Sequence, residues 1–330
     1  MDRRRVGPFL AVGAFCLLSG MMSLRFGAAD LSLTQLWHAL CSGPHDTAGW
    51  IFWYARLPRT AACLLAGAAL AVSGCVIQSV LGNRLASPGI IGVNAGAGLA
   101  VNLCCAVGAL SGWAIALSSF GGAMLCVLLV VFLTGRAGAS RTTVILSGVA
   151  MNSILNALSE AVVTLVPDVG TLSSDFRVGG FSSVVHTRLI PAGILILLSL
   201  AVVFTLCNEL DVLALGDETA HSLGLSVKKL RILFLLLAAL LAGASVSFAG
   251  LLGFVGLIVP HGARKLVGGE KKVLLPFCAL GGAGFVTFCD VVARLLFAPH
   301  EVPVGILICV LGGPFFLLLL LKKKGGRIHD

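Results

Sequence analysis

Three groups of ionisable residues stand out from an otherwise apolar chain, and each has a spacing that suits a definite chemistry. Arg56 and Arg59 flank Leu57-Pro58. Pro58 fixes the backbone where a helix starts, so two guanidinium forks face outward at a rigid entrance, an arrangement for capturing carboxylates. Asp290 and Arg294 are four residues apart and share a helical face, as an ion pair requires. Glu160 lies deep in a third apolar run, with Asn152 and Asn156 before it as further pathway or gate candidates. A carboxylate inside a membrane is a functional candidate by default, and here it would serve an ion-coupled secondary transporter; the alternative is a place near the outer end of its helix, facing water.

Two longer stretches carry a different kind of information. Asp217-Glu-Thr-Ala-His-Ser-Leu-Gly224 sits in the largest polar connector, residues 208–231. Asp217 and Glu218 favour a helix N-terminus and Gly224 ends the helix, with a second short helix expected at Leu225 to Lys229. A compact helix pair of mixed charge suits docking of a soluble partner, through Asp217, Glu218, Thr219, His221, Leu223 and Gly224. The stretch from Gly250 to Arg264 is apolar enough for a bilayer, yet holds Gly250, Gly253 and Gly256 and ends in Pro260-His261 before Arg264 and Lys265. Helix-weakening residues in that setting mark a broken element lining a pathway, which makes Pro260 and His261 gate candidates.

The elements that must position these groups follow from composition. Of 330 residues, 58% are apolar and 11% charged, and mean hydropathy is +1.04. A soluble domain carries about twice that charged fraction. The reading is an all-α polytopic membrane protein forming a single transmembrane domain over residues 1–330. Apolar segments fall near 7–24, 60–81, 89–110, 113–133, 142–166, 189–207, 232–248, 250–261, 273–297 and 302–321, so about ten transmembrane helices are expected, the eighth short and broken. With both termini cytoplasmic, most of the 23 basic residues face inward. Arg3 to Arg5 before an apolar run resemble a signal peptide, but the run is long for one and reads as an uncleaved first helix.

The net charge of +9 is spread over short loops between apolar runs, the pattern of topology determinants, so no nucleic acid partner is expected. The 11 cysteines form no CxxC pair and the 7 histidines no pair at metal-ligand spacing, so neither a metal site nor a cofactor is expected. No clustered nucleophile and base indicates an enzyme, and no GxxxxGK[ST] loop is present. Leu64-Leu-Ala-Gly-Ala-Ala-Leu-Ala-Val-Ser-Gly74 matches Leu240-Leu-Ala-Gly-Ala-Ser-Val-Ser-Phe-Ala-Gly250 in spacing. The first enters from outside and the second leaves from inside, the mark of an inverted repeat.

Taken together, these residues resemble the FecCD-type permeases of ABC importers for ferric siderophores, haem or vitamin B12. The matching blocks run from about Leu31 to Leu321. They are Arg56 to Arg59, Gly67 to Gly74 with Gln78, Asn83 through Pro88 to Val93, Leu215 to Gly224, Gly253 to His261 with Arg264, Asp290 with Arg294, Glu301 to Gly305, and Gly312 to Phe315. The resemblance implies ten helices per subunit, a second copy or homologous permease, a cytoplasmic ABC ATPase dimer and an extracytoplasmic substrate-binding protein, in a bacterial inner membrane. It implies that Arg56, Arg59 and Arg294 form an outer basic pocket for the binding protein, with Arg294 a surface group, and that Asp217 to Gly224 couples to the ATPase. The pathway would run between two subunits along the fifth and tenth segments. A ferric siderophore is the first cargo expected. One departure is Arg84, which follows Asn83 where the family often has proline.

Overall fold

Long apolar runs in a bilayer must satisfy every backbone N–H and C=O within themselves, and helices are the local answer. The computed structural model describes residues 3–27, 32–136, 140–296, 298 and 300–324, and it is helical almost throughout. The principal helices are α1 (Arg3–Arg25), α2 (Leu57–Leu81), α3 (Val93–Ala106), α4 (Gly112–Arg136), α5 (Arg141–Leu165), α6 (His186–Thr205), α7 (Val227–Ala249), α8 (Val255–Val267), α9 (Lys271–Leu295) and α10 (Val304–Lys324). Among the described residues, seven spans are long and apolar enough to cross a membrane: α1, α4 to α7, α9, and Thr47–Leu81, which contains α2. Helices α3, α8 and α10 complete the ten.

Four expectations are corrected. The second segment begins at Thr47, because a π-helical turn at Ile51–Arg56 joins the residues before Pro58 to α2. In that wide turn the Leu57 N–H reaches Phe52 O, an adjustment suited to a helix that must carry a proline. The third segment, expected over 89–110, holds a helix of only 14 residues, so the eighth is not the only short one. Leu225 to Lys229 is no separate helix, since α7 starts at Val227. Helix α8 begins at Val255 and runs through Arg264 and Lys265 to Val267, so the basic cluster lies inside it.

The inverted repeat is visible in the packing. Helix α2 packs on α7 and α9, and α7 packs on α2 and α4. Gly67 of α2 lies against Gly282 of α9, while its counterpart Gly243 lies against Phe120 and Ala123 of α4. Helix α2 runs away from the end carrying Arg59, and α7 returns to it, with Gly180 N–H donating to Ala249 O at 2.8 Å. Each is followed by a stretch without α-helix, which after α2 includes a 3₁₀ turn at Pro88–Ile91, and then by a half-length helix, α3 of 14 residues and α8 of 13. The start of α8 lies against α2 and the turn that precedes α3, since a Cβ on Gly256 would meet Leu70 O, Gly74 Cα and Pro88 Cδ within 3.4 Å.

Small residues make these approaches possible. A methyl on Gly67 would collide with the Gly282 carbonyl, and one on Gly74 with the Gly256 carbonyl. Without a hydrophobic drive inside lipid, such close backbone contact is what holds helices together. Pro260 within α8 cannot donate to Gly256 O, its i−4 carbonyl. Gln78 Nε2 donates to that carbonyl at 3.0 Å instead. Gln78 Oε1 in turn accepts from Arg264 Nη1, so one glutamine repairs the proline break and anchors the end of α8.

Candidate functional site

At the Arg59 end, the π turn, α2, α9 and the segment before α10 bring five ionisable groups together beside α1. Arg59 forks onto Asp290, with Nη2 to Oδ1 at 3.0 Å and Nε to Oδ2 at 3.2 Å, and its Nη1 reaches Glu301 Oε2 at 2.8 Å. Arg294 Nε meets Asp290 Oδ2 at 3.0 Å, as the i,i+4 spacing requires. Its Nη1 donates to Phe26 O at 3.0 Å and its Nη2 to Ser23 Oγ at 2.9 Å. Ser23 also hydrogen-bonds Thr60 Oγ1, and Arg56 donates to Phe26 O. The network therefore locks the C-terminal end of α1 to α2 and α9.

Burial changes the reading of the three arginines. Arg294 is 4% exposed and Arg56 6%, so Arg294 is not a surface group. Arg56 donates to Phe26 O, and Arg294 donates to backbone carbonyls, the Ser23 hydroxyl and Asp290, which is 1% exposed. A buried cation needs such partners, because removal from water costs several kcal/mol. Arg59 and Glu301, with side chains 15% and 34% exposed, form the reachable edge. Beside them lies a cavity of about 260 Å³ lined by Gly27, Ile51, Ala55, Arg56, Arg59, Arg294 and Glu301.

At the opposite end, Asp217–Ser222 forms the short helix expected there. Gly224, at φ +83°, and Leu225 close it with N–H bonds to His221 O at 2.9 Å and Ala220 O at 3.1 Å. Asp217 straps it down. Both its oxygens accept from Arg231 Nη2, at 2.6 and 2.7 Å, and Oδ1 lies 3.2 Å from Arg141 Nε. Burial raises the Asp217 pKa, but hydrogen bonds and charge from Arg231, then Arg141, outweigh it and hold the carboxyl below its usual range. Ala220 is fully buried beneath, while Glu218, Thr219, His221, Leu223 and Gly224 are exposed. The preceding helix Cys207–Ala214 is tied by Asp211 Oδ2, which accepts from Lys271 N at 2.9 Å. Leu215 and Leu223, 68% and 62% exposed, give this rigid knob an apolar tip.

The pathway candidates separate. Asn152 turns into the protein and donates to Gly89 O at 2.8 Å and Ile90 O at 3.1 Å, holding the re-entrant turn before α3. Glu160 is not deep: it lies within two turns of the end of α5, its side chain 66% exposed and paired with Arg177 at 3.3 Å. Asn156 is exposed on the same helix. Leu146, Val149, Ser153, Asn156, Glu160 and Thr164 all fall on one exposed face at helical spacing, polar over its last three turns. A polar face is expensive against lipid, so α5 requires water or another protein there. Pro260 is buried, and His261 packs edge-on to Phe315 of α10 with ring centroids 5.8 Å apart. Among the described residues, no group of three His, Cys, Asp or Glu side chains could hold a metal ion.

Gln78 enters the sequence reading only as one residue of a matching block. Its signal is a single amide in a 25-residue apolar helix, a position that demands a buried partner.

The model of the FecCD transport family matches residues 15–322. The chain is 36% identical to the hemin transport system permease protein HmuU of Yersinia pestis, over 98% of each protein. It is 37% identical to the vitamin B12 import system permease protein BtuC of Salmonella typhi, over 98% of this chain and 97% of that one. Among solved structures it resembles one described as an inward-facing conformation of an ABC transporter of metal-chelate type. There the TM-score is 0.85 at 28% identity, over 95% of this chain and 98% of that one.

Proposed function

The chain belongs to the FecCD transport family, and from that premise we propose that it is the membrane-spanning permease subunit of an ATP-driven importer whose cargo is a ferric siderophore. The observation that carries this reading is the strapped, exposed helix Asp217–Ser222 on a chain that has no phosphate-binding loop of its own. Nucleotide hydrolysis then belongs to a partner ATPase dimer, and this knob is where its stroke enters the permease. With that end in the cytoplasm, both termini are cytoplasmic and the Arg59 end faces the binding protein.

Arg59 and Glu301 present charge at that outer face, with Arg56 and Arg294 fixing the surface from beneath. The exposed polar face of α5 meets a second permease, a copy or a homologue, and the pathway runs between the two. Ser153, Asn156, Glu160 and Thr164 give that wall hydroxyl, amide and carboxylate groups, which suit the amide- and hydroxyl-rich exterior of a siderophore better than a bare macrocycle face. Each end state is stabilised by different partner contacts, since equal contacts in both would shift nothing. Identity to the haem and vitamin B12 relatives is nearly equal, so it does not choose the cargo.

The test is uptake by proteoliposomes holding this permease and its ATPase. Accumulation of a radiolabelled ferric siderophore that needs both internal MgATP and external binding protein is expected. ATP-independent uptake abolished by Glu160→Gln would overturn the reading, and uptake of haem or cobalamin alone would overturn the cargo.

A further inference from the structure

We propose that Arg84, His261, Arg264 and Lys265 form a binding site for an oxyanion, a carboxylate or phosphate, at the Asp217 end of the protein. The four line one cavity of about 200 Å³, completed by Gly269. Three elements converge to make it. The connector after α2 supplies Arg84, and the turn before α9 supplies Gly269. Helix α8 supplies the other three at positions i, i+3 and i+4, which share a face.

What distinguishes this group is that, among the described residues, no ion pair joins it to a carboxylate. The chain's other convergent cations hold an acid between them: Asp290 and Glu301 serve Arg59, Asp217 serves Arg141 and Arg231, and Asp211 serves Lys271. No carboxylate lines the cavity among the described residues. Like charges held together repel until an anion sits among them. Lys265 and Arg264, near the C-terminus of α8, also complement that helix's dipole. This does not account for Arg84, which comes from another element.

The site is also preorganised. Arg264 donates to Gln78 Oε1, and Gln78 is fixed by its bond to Gly256 O at 3.0 Å. His261 is held by Phe315. The volume admits one phosphate or carboxylate group with its water and falls below the usual size of pockets that hold a whole drug-sized ligand. The group can come from an anionic phospholipid headgroup or from a free anion.

The test compares the wild-type chain with Arg84→Gln/Lys265→Gln, both exposed positions that leave the fold alone. Native mass spectrometry from mixed phosphatidylcholine and phosphatidylglycerol micelles reads lipid retention. Thermal unfolding in inorganic phosphate or citrate, against chloride at equal ionic strength, reads free anions. Wild-type protein should bind in at least one arm, and the double variant should bind about tenfold more weakly, the size of two partly screened ionic contacts. Arg84→Lys should keep binding. Retained phosphatidylglycerol assigns the lipid source, and stabilisation by phosphate or citrate alone assigns a free anion. Equal behaviour of wild type and double variant in both arms would overturn the site. The site stands on the cavity alone, whatever the chain transports.

Discussion

Asp290→Asn is the substitution whose consequence the structure specifies most closely. It keeps the shape of the side chain and removes the one negative charge shared by Arg59 and Arg294, with Asp290 1% exposed. At about 4 Å between charge centres and an effective dielectric of about 20, each pair is worth about 4 kcal/mol. Arg59 is partly solvated and keeps Glu301 at 2.8 Å, so most of its share is recovered. Arg294 keeps only neutral acceptors, Phe26 O and Ser23 Oγ, among its named partners. Breaking a buried pair from one side costs about 3–5 kcal/mol, and we take about 3 kcal/mol here. That corresponds to a fall of about 5–10 °C in Tm for a chain of this size. Thermal unfolding of purified protein in mild detergent measures it. Asp290→Asn/Arg294→Met should be more stable than Asp290→Asn alone, because no unpaired buried charge remains. A single variant within about 2 °C of wild type, or a double variant no better than the single, would refute the reasoning.

Gln78→Leu should cost about 2–4 kcal/mol in the same assay, since it orphans the Gly256 carbonyl freed by Pro260 and unseats Arg264. Gly67→Val should abolish folded protein on size-exclusion chromatography, because its side chain would occupy the Gly282 backbone. The Asp217 strap should weaken in acid. Its folded pKa lies below the unfolded one, so its stabilisation is complete above the unfolded value and is lost as pH falls through the folded one. Protease nicking at residues 215–226 should therefore rise only below the usual carboxylate range, and nicking that rises near neutrality would contradict this. Leu223→Asp at the exposed tip should reduce ATPase co-purification about tenfold or more while leaving Tm within about 2 °C, as an apolar interface contact requires.

Much of this architecture is legible in the chain, for identifiable reasons. Long apolar runs fix the helices, and two copies of a Leu-Leu-Ala-Gly-Ala motif mark the repeat, because close packing in lipid needs glycine at fixed positions. The i,i+4 spacing of Asp290 and Arg294 announces their pair, and Gly224 announces the end of the short helix. What failed were depth and direction. Periodicity does not say how far along a tilted helix a residue sits, so the sequence leaves Glu160 either deep or near the outer end, and the structure places it near the end. Nor does it say which way a long side chain turns: backbone carbonyls of α1 draw Arg56 inward, and they also bury Arg294, which the family resemblance implied to be a surface group. The π turn before Pro58 leaves no compositional trace, and the role of Gln78 emerges only when Gly256, 178 residues away, is brought beside it.

The central claim is that this chain is one part of an ATP-driven machine. The most direct measurement is purification of the tagged chain from its native membranes in a gentle detergent, with mass spectrometry of the co-purifying proteins and an ATPase assay of the eluate. The account predicts a stoichiometric partner bearing a phosphate-binding loop, MgATP hydrolysis in the purified complex, and loss of both when residues 217–224 are replaced by a Gly/Ser linker. A chain that purifies alone under conditions that hold related transporters together, or one whose ATPase survives that replacement, would contradict it.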